Sequence, residues 1–595
     1  MKKKLAYLIG ALVVAFAVSS YVVFLRPKIY SFHVDIPDQQ QTGELVKLDQ
    51  GWTEDITTQF HYTPQGTQIM PYPWFAALEE PSLSPLGAGK FARQEYLGRF
   101  GFLVGSRDPK LNPDGLPVGF ARDDEFRDPI SGHTYPVVGF TCAACHTAEL
   151  HYGSQAVRVE GGPAMINLDE FLKAVGNALI LTDLMPFRYA RFERNVLGPE
   201  ATPSERVALR QEFQSFLKSS VNEMTQGNNR GVYNNAEGFG RTDALARIGN
   251  IVFAADMNNW DNLAPTDAPV RFPQIWDASW FTWVQYNASI SNPMERNIGE
   301  ALGVKAIAKL SGCCAEKLQS TVRFHDLWKL EKWLSGDRPY AGLNSPKWPS
   351  IFPPLDTDKV RRGKQLYQEL CIGCHLPPVD ELKELLVSGK PPWVKRDPEQ
   401  PHPFLHNEEI PLEFIGTDPN QALNFFNRTA DSGDLKKGCL TAAQGLDFLT
   451  KSMAMNFYTN NDFSATTQKE WSGWQDPMAE GIRATKVYRP RPLNGVWALG
   501  TYLHNGSIPN LYELLSPVSE RATTFWVGNR KFDPVKVGYD SSVYPGGFKY
   551  DVRKPGNSNR GHEFKGDGKV KGNGVIGRLL PPEDRWALIE YLKSL

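Results

Sequence analysis

The chain has 595 residues, with 65 lysines and arginines against 66 aspartates and glutamates and a formal net charge of -1. That balance excludes an electrostatic case for nucleic acid or for an acidic macromolecular substrate and leaves a small or neutral substrate as the default. The length allows several cores, and 44 prolines with 51 glycines predict extensive loops between them.

Met1-Lys2-Lys3-Lys4 precedes an almost wholly apolar run from Leu5 to Leu25, closed by Arg26 and Lys28. At about 1.5 Å per residue such a run is long enough to cross a bilayer. Ala15-Phe16-Ala17 followed by Ser19-Ser20 would serve as a signal-peptide exit, but Tyr21 to Leu25 prolongs the apolar stretch past it. The expectation is a signal anchor and transmembrane helix over residues 1–28, holding the body in the periplasm against a bacterial inner membrane, or releasing it as a secreted protein if cleaved.

Residues 30–350 read as a first domain without a dominant helical period, and residues 352–595 as a second, separated by the proline-rich stretch Trp348 to Pro354. The second opens with Asp356 as an N-cap and Val360, Gly363, Tyr367 and Leu370 at helical spacing. It closes with Pro581-Pro582 starting a helix striped by Trp586, Ile589, Leu592 and Leu595.

Each region carries one C-x-x-C-H motif, Cys142-Ala143-Ala144-Cys145-His146 and Cys371-Ile372-Gly373-Cys374-His375. Two thiols at this spacing form thioethers to the vinyl groups of one porphyrin, while the adjacent histidine turns its imidazole onto the iron. A zinc site or a redox dithiol does not need that histidine, and zinc would require four cysteines to converge across more than two hundred residues. The expectation is two covalently attached haem c groups with His146 and His375 as proximal ligands, each neutral and holding its second ring nitrogen toward a backbone carbonyl.

An iron with two strong protein ligands transfers electrons, whereas an open sixth position binds oxygen or peroxide. For the second iron the distal candidates are His562, in the glycine-flanked loop Gly556 to Phe564, and His504, in Tyr502-Leu503-His504-Asn505-Gly506-Ser507. Met453 and Met455 are thioether candidates that read equally as core. Around the first iron His133 and His151 lie too near the motif to reach the opposite porphyrin face, and Met165 is the remaining candidate, so that iron is expected to be open. Of the three other cysteines, Cys313, Cys314 and Cys439, a disulfide from Cys439 to one of the adjacent pair is favoured over the strained vicinal ring. The aromatic stretch from Asp267 to Asn287 offers Phe272, Trp276 and Trp280 as a distal-pocket wall or a relay between irons, or as core.

The two motifs, with Leu493 to Gly506 behind the second, resemble the bacterial dihaem cytochrome c peroxidase superfamily. The continuation from Ser507 to Leu515, through Val527-Gly528 and Phe532-Asp533-Pro534 to the loop Gly556 to Phe564, resembles the branch of the latex-cleaving dihaem rubber oxygenases. The resemblance implies a mainly α fold with extensive loops, two packed cytochrome c-like domains, an oxygen-accessible first iron, and a bis-histidine second iron whose distal ligand matches His562. Pro517 and Val518 stand where ordinary dihaem peroxidases carry a distal methionine or tyrosine.

The function expected is an exported dihaem oxidoreductase that activates peroxide or dioxygen at the first haem and transfers electrons at the second. Its reductant would be a small cytochrome or an apolar organic substrate, and a calcium ion between the domains is compatible with the sequence. The competing expectation is a membrane-tethered electron-transfer cytochrome without catalysis.

Overall fold

The computed structural model describes residues 43–595. Immediately after the first motif, Thr147–Tyr152 and Gln155–Glu160 form an antiparallel hairpin across Gly153-Ser154, and Glu44–Lys47 adds a parallel third strand to it. Glu149 faces Arg158 in register, with its carboxylate accepting from Arg158 Nη2 at 2.7 Å. Both faces of this hairpin are largely buried. A charged pair inside a two-sided strand pair breaks the apolar alternation by which strands are read from sequence.

The expectation of a mainly α protein led by a transmembrane helix is corrected. Of the described residues 39% are helical and 14% are in strands, the strands forming short two- and three-stranded sheets distributed along the chain. Inner-membrane anchoring, and the periplasmic placement built on it, is corrected with it. Among the described residues no helix is long and apolar enough to cross a membrane, and the expected anchor over residues 1–28 lies outside them.

The helix before the second motif runs Thr357–Leu370. The Asp356 carboxylate accepts from the backbone N–H groups of Asp358 and Lys359 at 3.1 Å each, satisfying two of the donors a helix start leaves open. It packs on the terminal helix Pro582–Ser594, and Gly363 is the point of closest approach, where an added Cβ would lie 2.1 Å from the Ala587 carbonyl oxygen. Tyr367 and Tyr591 meet edge to face at 5.4 Å across the same seam. These two helices hold Cys371 at the end of a fixed lever.

Two apolar cores support the structure. One contains Phe272, Trp276, Leu366, Trp497 and Leu588; the other contains Met294, Ile298, Leu382, Leu446 and Met453. Each draws on residues from both sides of residue 350, so each motif sits against packing supplied by distant parts of the chain.

Candidate functional site

At the first motif, Cys142–Ala144 forms a single 3-10 turn and His146 N–H donates to the Cys142 carbonyl at 3.0 Å. His146 Nδ1 lies 2.9 Å from the Pro273 carbonyl oxygen. A carbonyl only accepts, so Nδ1 carries the proton and Nε2 presents a free lone pair. Burial holds the imidazole pKa down at about 4, which keeps it neutral. His375 repeats the arrangement, with Nδ1 donating to the Arg491 carbonyl at 2.8 Å and burial again lowering its pKa. Both motif histidines therefore donate Nδ1–H to a backbone carbonyl.

Burial pushes the Cys142, Cys145 and Cys371 thiols up to about 12. Zinc ligation and thiol exchange need thiolates, so this environment suits neither. Among the described residues no group of three or more histidine, cysteine or acidic side chains is arranged to hold a metal ion, so the four motif cysteines do not converge and no carboxylate cluster stands ready for calcium. The disulfide expected for Cys439 is not formed. Cys439 is an exposed free thiol, while Cys313 and Cys314 approach each other to 3.1 Å between sulfurs.

Opposite His375 the structure brings His562, with 6.1 Å between ring centroids and 67° between ring planes. The span would accommodate an iron bonded at about 2 Å to one nitrogen of each ring. The loop is held firmly: Arg521 donates to the carbonyls of Asn559, Gly561 and His562. Gly561 has φ +73° and an added Cβ there would lie 2.3 Å from the Gly416 carbonyl carbon, so this approach requires glycine. Burial, then the neighbouring His375 and Arg521, hold the His562 pKa down at about 3.

His504 is placed elsewhere. Its ring lies 4.2 Å from Tyr488 and 6.0 Å from Tyr286, and its carbonyl accepts from Arg271 N–H at 2.8 Å. Met453 is buried in the second core with Met455 packed against it, and Met165 is buried in the first. His151 Nε2 donates to Glu149 Oε1 at 2.9 Å, and His133 sits in an exposed turn.

A cavity opens over Cys142, Cys145 and His146. Leu245, Ile248, Val284, Ile290, Leu327 and Leu330 give it apolar walls. Of the three aromatic candidates Phe272 lines it. Trp276 stands behind the wall, donating from Nε1 to the Asn494 carbonyl at 3.1 Å, and Trp280 turns toward Ser335 and Phe404.

Sequence reasoning missed the polar part of this cavity. Helix Pro293–Gly303, capped by Asn292, contributes Glu295, Arg296 and Glu300. Glu295 is 0% exposed, accepts from Asn292 Nδ2 at 2.9 Å through Oε1, and as a neutral acid has the Asp447 carboxylate as a further hydrogen-bond partner. Burial first, and the Asp447 charge second, push its pKa up to about 9, so it is a neutral acid at neutral pH. Glu300 is also raised by burial and accepts from Gln285 Nε2 at 3.3 Å. Two glutamates five residues apart behind the Asn-Pro cap were the available signal.

Arg489 and Arg491 line the same cavity, their guanidinium groups 4.8 and 5.2 Å from the Phe281 ring centre. Among the described residues neither forms an ion pair, Glu409 and Asp277 acting on Arg489 and Arg491 only through space, and Arg489 Nη1 is buried without a partner. Burial acts against both cations, bringing Arg491 down to about 10 and Arg489 further. A guanidinium does not shed its proton in a protein, so the site calls for an anion. A haem propionate is such an anion, and the apolar walls, free Nε2 and paired thiols suit the rest of the porphyrin.

Residues 487–527 match the family model described as RoxA-like, cytochrome c-like, which implies bound haem c and, at a coarse level, a haem-dependent oxidoreductase. The segment contains Arg489, Arg491 and His504. The chain is 40% identical to the uncharacterized protein y4iJ of Sinorhizobium fredii over 616 aligned positions covering 100% of both chains. It is 30% identical to the uncharacterized protein y4iM of the same organism over 262 residues, 41% of this chain and 51% of that one. On this similarity the chain belongs to the family of y4iJ and, by its RoxA-like segment, is a c-type cytochrome.

Proposed function

We propose that this protein is a dihaem c-type oxidoreductase of the rubber-oxygenase-like branch of the dihaem peroxidase superfamily. Haem at Cys142, Cys145 and His146 would activate peroxide or dioxygen, and haem at Cys371, Cys374 and His375 would transfer electrons. One observation carries the reading. A second histidine, His562, faces His375, whereas among the described residues lining the cavity at His146 no second histidine and no methionine is present.

The group at His146, when bound, supplies an iron coordination position open to a small oxidant. The chain's residues supply the rest. Pro273 fixes the His146 tautomer, and Arg489 would hold a propionate of the bound group through its free N–H. Glu295 keeps a proton available at the cavity wall at neutral pH, where a donor assists cleavage of an oxygen–oxygen bond. The apolar walls limit water and admit a reducing substrate of apolar character.

The test is optical titration of the purified holoprotein with cyanide when oxidised and carbon monoxide when reduced, followed by assays for peroxide-dependent oxidation of a small reduced cytochrome and for oxygen uptake with polyisoprene. One responsive haem out of two, with turnover in either assay, supports the reading. Two unresponsive haems and no turnover would make it a pure electron carrier.

A further inference from the structure

The two proximal histidines are joined by a short path through one side chain. The Arg491 backbone carbonyl accepts His375 Nδ1–H at 2.8 Å. The guanidinium of the same residue donates from Nη1 to the Gln274 carbonyl at 2.5 Å and from Nη2 to the Trp276 carbonyl at 3.1 Å. Gln274 shares its peptide bond with Pro273, whose carbonyl accepts His146 Nδ1–H at 2.9 Å. A single arginine thus spans from the acceptor of one imidazole to the peptide group next to the acceptor of the other.

The segment so clamped is rigid. Trp276 Nε1 donates to the Asn494 carbonyl at 3.1 Å, and Asn494 Nδ2 donates to Asp277 Oδ2 at 2.6 Å. Ile275 N–H donates to the Gly161 carbonyl at 2.9 Å. Residues 273–277 and 491–494 therefore form one hydrogen-bonded seam that holds Arg491 in place. The fork geometry of a guanidinium, two donors on two carbonyls, is one an ammonium cannot reproduce.

The partner that a ligating imidazole finds for its second nitrogen sets the ligand's basicity. A buried cation beside that partner is felt strongly because the surroundings are poorly polarisable. From this geometry we infer that Arg491 is a positioning residue that couples the two irons, setting the hydrogen-bond environment of His146 and His375 together. Its positive charge favours the reduced form of both. The inference rests on the two-haem reading proposed above and goes beyond it by assigning the coupling to one side chain.

The experiment is a spectroelectrochemical titration of purified holoprotein, wild type against Arg491→Met and Arg491→Lys, with haem content checked by mass. In Arg491→Met the carbonyl to His375 remains while the cation and fork are lost. Both haems are then expected to become harder to reduce, each by about tenfold in its reduction equilibrium, which is about 59 mV for one electron. Arg491→Lys keeps the charge, loses the fork, and is expected to move both potentials in the same direction by less. Should the methionine variant fail to fold or to load haem, the lysine variant alone decides. A change confined to the haem at His146, or no change at either, overturns the coupling. A wild-type mass with fewer than two haems would instead sink the two-haem reading, before any potential is compared.

Discussion

His562 presents its ring to that of His375 at 6.1 Å between centroids, although 187 positions separate them in the chain. His504, the other histidine in a glycine-flanked turn, packs on Tyr488 instead. His504→Gln is therefore expected to leave the low-spin haem spectrum unchanged, as read by optical and EPR spectroscopy. Loss of a low-spin signal in that variant would place the ligand at the wrong histidine.

Glu295 is buried and neutral at the cavity wall, hydrogen-bonded by Asn292 and next to Asp447. Glu295→Gln keeps its shape but cannot deliver a proton, and peroxide turnover is expected to fall by about 10²- to 10⁴-fold. The same group gives a pH dependence of stability. Its pKa rises from 4.5 to about 9 on folding, so the folded protein holds a proton that the unfolded chain releases. Stability is then greatest at the acid end and declines as pH rises from about 4.5 toward about 9, where the decline from this group ends. Thermal melts across this range should show a shallower decline in Glu295→Gln than in wild type.

Arg489 forms no ion pair among the described residues, and its Nη1 is buried without a hydrogen-bond partner. If it faced only protein, Arg489→Met would raise stability, because replacing an unpaired buried charge with an apolar side chain removes a desolvation cost. With a propionate against it, the variant is expected to lower the melting temperature of the holoprotein. Differential scanning calorimetry gives the sign directly.

Gly363 allows the helices Thr357–Leu370 and Pro582–Ser594 to touch, backbone against backbone. Gly363→Ala puts a carbon on the Ala587 carbonyl and is expected to cost at least about 1–3 kcal/mol in denaturant titration. An unaltered midpoint would mean that this seam gives way easily.

What the sequence displays is local. The thiol-thiol-histidine spacing, the Asp356 cap and the last helix each lie within one turn or one element; the cap and the helix are found where their residues predict, although Ala587, Leu588 and Tyr591 are buried beside Ile589 and Leu592 while Trp586 and Leu595 are partly buried. Resemblance rather than spacing separates His562 from His504, since both stand in glycine-flanked turns. The cavity's polar wall is legible only in three dimensions. Arg491 meets Gln274 across 217 positions, and Glu295 faces the His146 cavity from a helix that resembles any other amphipathic segment. The strands escape for the same reason, since buried Glu149 has Arg158 to receive it only once the hairpin has formed.

The account stands on two unequal irons, and one comparison tests it most directly: EPR of purified holoprotein against His562→Ala, with haem increments counted by mass. Two haems in both proteins, and one low-spin signal converted to high spin in the variant, are the predicted result. A variant whose spectrum matches the wild type, or a wild type with fewer than two haem increments, would contradict it.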